Sequence, residues 1–253
     1  LAGGVSMTRR LADMTWPEVA AAVAAGATTV ILPLGATEQH GPHLPLGTDT
    51  IRAVALADRV AARLPMALIA PALPVGCSDE HAGFPGLLSL DAVTLAGVIV
   101  DCARRMVAWG VRRLVVLSGH GGNATALALA AERMRHELPT LALWLPTAMR
   151  ELDAVIVAVA ASEAITPAQI GSHAGDGETS EMLALSPALV RREAAEVGYC
   201  GEFAAILPTL RTLGLQAVTP NGVLGDPTVA DAARGARYLD AYATALVEDL
   251  NAL

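Results

Sequence analysis

Thr28-Thr29-Val30-Ile31-Leu32-Pro33-Leu34-Gly35-Ala36-Thr37-Glu38-Gln39-His40-Gly41-Pro42-His43-Leu44-Pro45-Leu46-Gly47-Thr48-Asp49 is the stretch that decides the fold. Thr28 to Leu34 is a β-rich apolar run that reads as a buried strand. The polar loop after it carries two histidines and two carboxylates between Glu38 and Asp49. From Asp49 to Arg63 the pattern becomes helical. A strand that hands a polar loop to a helix is the repeating unit of an α/β protein. In an extended segment Glu38 and His40 project to the same side, because the period is two. Carboxylate oxygen with imidazole nitrogen suits Zn, Mn or Fe(II).

The same alternation recurs outward from that stretch. Thr15-Trp16-Pro17-Glu18 opens a helix with Thr15 as N-cap and Pro17 in the first turn. Strands are expected over Ala67–Leu73, Leu114–Ser118 and Leu141–Leu145. Helices are expected over Asp91–Trp109, with Gly110 just past the end, and over Ala124–Glu137. Asp226-Pro227 is expected to cap a last helix running to about Glu248. The pattern predicts a three-layer αβα fold with a mostly parallel sheet covered on both faces. No repeat or linker divides residues 1–253, so one domain is expected.

Composition excludes several function classes. Net charge is −8, without the basic footprint that nucleic acid needs. All 17 basic residues are Arg, so neither a Schiff-base lysine nor a lysine P-loop is available. Mean hydropathy is +0.48. Yet the apolar run Ala154 to Ala161 is far shorter than the roughly 20 residues of a membrane span. Arg9 and Arg10 are followed by Asp13 and Glu18, so no signal peptide is expected before the first helix. Cys77, Cys102 and Cys200 are an odd count without metal spacing. Free thiols of that kind fit a cytoplasmic protein.

Open parallel sheets bind ligands outside the carboxyl ends of their strands. Polar residues should therefore gather after each strand, and they do. Glu38, His40 and Asp49 follow the first; Cys77, Ser78, Asp79, Glu80 and His81 the second; Gly119-His120-Gly121-Gly122-Asn123 the third. His173-Ala174-Gly175-Asp176-Gly177-Glu178-Thr179-Ser180 opens a further helix. His120 reads as a metal ligand beside the first motif, and His173 and Glu178 as acid/base and ligand candidates. Glu80, His81, Gly121, Gly122 and Asn123 are candidates for substrate binding, although Asn123 reads more readily as a helix N-cap. His43 is either an outer partner of Glu38 or Asp49, or a histidine satisfied within its loop.

As a set these motifs resemble the creatininase family, through Glu38-Gln39-His40-Gly41, Pro45 through Asp49, Phe84-Pro85-Gly86, Gly119-His120, and His173-Ala174 with Glu178-Thr179-Ser180. The resemblance implies two divalent metal ions per subunit (Zn2+, Fe2+ or Mn2+). In it Asp49 bridges them, Glu38 and His120 hold one, His40 holds the other, and His173 is the acid/base. Gly122 stands where creatininase proper has a glutamate ligand, and Glu178 is expected to fill that role. Residues 145–172 carry no aromatic residue that could wall a planar ring.

The mycofactocin-system branch of that family is a closer likeness, through Gly119 to Asn123, Ser78 to His81, Leu207-Pro208 and Gly222 to Pro227. It implies a peptidase that releases a C-terminal Val-Tyr dipeptide from a modified precursor peptide, acting as a homo-oligomer, a hexamer. An open groove for the peptide is expected beside the metals. The alternative within the family is an amidohydrolase of a small cyclic amide or formamide. A non-catalytic scaffold fits less well, because a structural site rarely needs a bridging carboxylate with open positions.

Overall fold

The computed structural model of the chain describes residues 9–145 and 149–252, leaving out the side chains of 149–153. In chain order the regular elements are α1 (Trp16–Ala24), β1 (Thr29–Leu34), α2 (Thr48–Arg63), β2 (Ala67–Ile69), α3 (Ala92–Ala108), β3 (Arg113–Ser118), α4 (Ala124–Glu137), β4 (Ala142–Trp144), α5 (Met149–Ala161), α6 (Pro167–Ile170), α7 (Asp176–Leu185), α8 (Phe203–Leu213) and α9 (Ala232–Asn251). The described strands form one sheet in the order β2-β1-β3-β4, parallel at every pairing.

Alternate side chains of the central strands serve two cores. Val30, Leu32, Leu114 and Val116 pack with α3 and α4, around Leu95, Ile99 and Leu127. Ile31, Val115 and Leu117 face the other way, onto Val60 of α2, Ile156 of α5, and Tyr238 and Leu246 of α9. Each central strand is thus apolar on both faces, which is why its sequence reads as a continuous apolar run. The expected αβα layering is the one observed.

The strand order also fixes where a site can form. From β1 the chain winds to β2 on one side, then crosses to β3 on the other. Loops leaving the carboxyl ends of β1 and β3 therefore diverge and leave a crevice between them. The Gly119 N–H donates to Leu34 O at 2.8 Å, so the two strands end level.

Two boundaries differ most from expectation. β2 ends at Ile69 rather than Leu73, because Pro71 has no N–H for the ladder; pairing returns only where Leu73 N–H donates to Pro33 O. Asp226-Pro227 opens a short 3-10 turn, Pro227–Val229, and the last helix starts at Ala232. Its cap is Asp231, whose carboxylate accepts the Arg234 N–H at 2.9 Å. Residues between β4 and His173, expected to border an open groove, hold the helices α5 and α6, from which Ile156 and Ile170 line two cavities.

Candidate metal centre

Glu38, Gln39 and His40 leave β1 in a buried loop, and Asp49 sits in the first turn of α2. Glu38 and His40 are fully buried and Asp49 is 1% exposed. His81 comes from a 3-10 turn after β2, His120 from the end of β3. His173 is held by backbone pairing with Leu224, whose N–H donates to His173 O at 2.8 Å. Glu178 rises from the first turn of α7. Residues far apart in sequence thus meet at the crevice set by the strand order.

Asp49 lies between two imidazoles and faces each with a different oxygen. Its Oδ1 is 3.1 Å from His40 Nε2, and its Oδ2 is 3.5 Å from His120 Nδ1. Glu178 Oε2 is 3.6 Å from the same His40 nitrogen. Glu38 Oε2 is 3.1 Å from His120 Nε2, and Glu38 Oε1 is 3.1 Å from His81 Nε2. Donors bound to one ion at ~2.0–2.2 Å stand roughly 3–3.6 Å from one another. Three sets converge closely enough to share an ion: Glu38, His40 and Asp49; His40, His173 and Glu178; and Glu38, His81 and His173.

Orphaned atoms test whether a cation fits. Both oxygens of Glu38, and Asp49 Oδ2, are buried without an aligned hydrogen-bond donor. Leaving such charges unpaired costs several kcal/mol, on the order of 3–5. Burial pushes the Glu38 carboxyl up to about 8, against the pull of His120. Burial would raise Asp49 as well, but the charge and hydrogen bond of His40 outweigh it and hold the carboxyl below its usual range. Burial opposes a charge on His40 too, yet Asp49 and Glu178 lift its ring to about 10. A buried nest of acids and imidazoles with unmet acceptors is the donor set of a divalent ion. The residues present fit one.

Backbone carbonyls orient the rings for that task. His120 Nε2 is 2.9 Å from Cys77 O. That nitrogen also faces Glu38 Oε2, and Nδ1 faces Asp49. His40 Nδ1 is 3.3 Å from Glu38 O, which leaves Nε2 facing Asp49 and Glu178. Metal-binding histidines characteristically donate their second nitrogen in this way.

Glu178 is constrained from two sides. Its Oε1 pairs with Arg52 at 2.6 Å, and its Oε2 accepts the Ala174 N–H at 2.7 Å. Ala174 holds φ +54°, an uncommon conformation for a residue with a Cβ, and thereby turns its N–H onto that carboxylate. Arg52 also binds buried Glu181 at 2.5 Å. Sequence reading missed both Arg52 and Glu181. Their signal was the spacing of Asp49 and Arg52, three apart on one helix face.

The expected substrate residues fall into different places. Gly121 lines a cavity of about 260 Å³ beside Asp49, His120, His173 and Glu178. Glu80 is half-buried, its Oε1 3.6 Å from His120 Nε2. His81 is 3% exposed and packs behind the centre against Glu38. Asn123 is buried, and its amide is spent on the protein itself. It accepts the Cys77 N–H at 2.9 Å and donates to Gly35 O at 3.1 Å. That corrects its expected place on the substrate: it ties the three strand-end loops together. At Gly122 the place of a Cβ is taken by Cys77 O, the His120 ring and, 2.7 Å away, Glu80 Oε1. No side chain fits there. His43 bonds neither Glu38 nor Asp49; its Nε2 is 2.9 Å from Thr179 Oγ1 on α7.

A sequence profile of the creatininase family, described as creatinine amidohydrolase, matches residues 12–250. The mycofactocin precursor peptide peptidase of Mycobacterium tuberculosis (strain CDC 1551 / Oshkosh) is 41% identical over 230 residues, covering 87% of this chain and 82% of that protein. The creatinine amidohydrolase of Pseudomonas putida is 36% identical over 193 residues, covering 70% of this chain and 72% of its own. A solved structure described as "Creatininase Mn" superposes with a TM-score of 0.81 at 28% identity, covering 97% of this chain and 98% of that one.

Proposed function

This chain belongs to the creatininase family, and on that premise we propose that it is a metal-dependent peptidase that releases a C-terminal dipeptide, Val-Tyr, from a modified precursor peptide. The observation that carries the reading is Asp49, with one oxygen toward His40 and the other toward His120. Two ions sharing Asp49 would be held by His40 and Glu178 on one side and by Glu38 and His120 on the other. Bound there, divalent ions supply an acidified water and a Lewis acid for the scissile carbonyl.

The chain's own residues do the rest. His173 Nε2 lies 2.7 Å from the Gln39 carbonyl, and a proton shared there leaves Nδ1 bare toward the centre. Burial, with the nearby charge of His40, drops this ring to about 3, so it is a neutral acceptor at pH 7. It takes the proton of the attacking water at Nδ1 and returns it to the leaving amine. Glu178, with one oxygen tied to Arg52, offers the other to an ion and is a ligand rather than the proton carrier.

The cavity beside the centre adjoins a second of about 420 Å³. The two share Ile156, Ile170, Gly171, Ser172 and Phe203. A substrate can therefore lie across the centre with apolar side chains against Ile156 and Phe203. Gly121, which lines the first cavity, offers a backbone N–H for the substrate's terminal carboxylate. The test is to give the metal-loaded protein a peptide ending in Val-Tyr and, separately, creatinine, and to read products by mass. Free dipeptide at a kcat/KM at least roughly a hundredfold above creatinine turnover, about 2.7 kcal/mol, supports the reading. Comparable values would move the assignment to the family's small-amide chemistry.

A further inference from the structure

Gln39, the middle residue of the Glu38-Gln39-His40 motif, is 7% exposed and meets two imidazoles at once. Its side-chain Oε1 accepts the Gly41 N–H at 2.8 Å, which identifies the oxygen end of the amide. Nε2 then has two hydrogens to place. One goes to Gly222 O, 3.1 Å away. Gly222 holds φ +74°, and a Cβ there would collide with the Gln39 amide, so a glycine is what lets the amide in.

For the second hydrogen there are two nitrogens, His173 Nε2 at 3.0 Å and His81 Nδ1 at 3.1 Å. His173 Nε2 already stands 2.7 Å from the Gln39 backbone carbonyl, an acceptor only, so it carries a hydrogen itself. His81 Nδ1 is left as the acceptor. The proton of His81 is therefore on Nε2, and His173 Nδ1 is bare. Both of these atoms face one oxygen, Glu38 Oε1, at 3.1 and 3.8 Å.

We infer that Gln39 is a positioning residue that sets the same Nε2–H tautomer on two histidines, which turns the protonated nitrogen of His81 toward Glu38 and the bare Nδ1 of His173 toward the substrate. His81 then carries its proton on the nitrogen nearest Glu38 and binds no ion, although it stands close enough to Glu38 and His173 to share one. Outer partners of this kind typically govern metal affinity or activity by about 10–100-fold. The inference rests on the proposed metal-dependent hydrolysis only for its kinetic consequence.

Long-range proton–nitrogen correlation spectra of the full-length, zinc-loaded protein with 15N-labelled histidine distinguish protonated from bare ring nitrogens. The native spectrum should show His81 and His173 each protonated at Nε2 and bare at Nδ1. In Gln39→Glu the new carboxylate cannot donate, so His81 Nδ1 should gain a proton. Peptide kcat should fall about 10–100-fold with KM and zinc content unchanged. His81→Ala should keep the native zinc stoichiometry. A native His81 protonated at Nδ1, a Gln39→Glu spectrum with that nitrogen still bare, or the loss of one zinc in His81→Ala would each overturn the inference. If a variant fails to fold, the native spectrum decides alone. Spectrum and zinc count need no substrate, so a protein inert toward peptide would sink the peptidase reading and leave the tautomers standing.

Discussion

Replacing Gly122 with alanine tests the packing of the centre at its tightest point. The added Cβ would stand less than 3.0 Å from Cys77 O, His120 Nε2 and Glu80 Oε1, where ordinary contact begins at 3.4 Å. Glu80 can swing away, but Cys77 O is backbone and His120 is bonded to it at 2.9 Å. The ring must retreat by about 1 Å, against a metal–ligand tolerance of ~0.2 Å. One donor is thereby lost, and zinc affinity should fall by at least about tenfold. Overpacking itself should cost about 1–3 kcal/mol, a Tm drop of roughly 2–12 °C for a chain this size. Gly121→Ala is the matched control, since nothing lies within 4 Å of its Cβ. Zinc titration against a competing chelator and thermal melts of both variants read the outcome. Native zinc affinity and Tm in Gly122→Ala, or equal damage in Gly121→Ala, would refute the reasoning.

Other outcomes follow from the same geometry. Asp49→Ala should remove both ions and His40→Ala mainly one; a full metal complement in the Asp49 variant, measured by elemental analysis, would end the shared-ligand view. Arg52→Ala leaves Glu178 and Glu181 buried without their cation, and should cost about 3–5 kcal/mol by urea unfolding; a loss below about 1 kcal/mol would show that the pairing does little. Without an ion, Glu38 near 8 and His40 near 10 hold protons at pH 7. Metal uptake should therefore release protons and tighten as pH rises. Calorimetry in two buffers of different ionisation enthalpy counts them, and a count of zero contradicts the assignment.

Sequence alone made the layers legible because β1 and β3 are apolar on both faces and the polar clusters follow them directly. Glu38, His40, Asp49 and His120 could be singled out since each sits within one turn or loop of a strand end, where an open sheet binds ligands. Asn123 could not be separated from a substrate residue, because its partners at Gly35 and Cys77 come from other strands. Arg52 was hidden for the same reason: its acids, Glu178 and Glu181, lie on α7, more than a hundred residues away. The stretch before His173 is Ala-rich and forms α5, which packs Ala160 against α9 while Ile156 also lines the cavities beside the centre.

The most direct test of the centre is an anomalous difference map at the zinc edge from crystals of zinc-loaded protein. The proposed assignment calls for two peaks about 3.5–4 Å apart. One should lie between His40, Asp49 and Glu178, the other between Glu38, Asp49 and His120. A map with no peak at Asp49, or with a single ion held by Glu38, His81 and His173, would contradict the account.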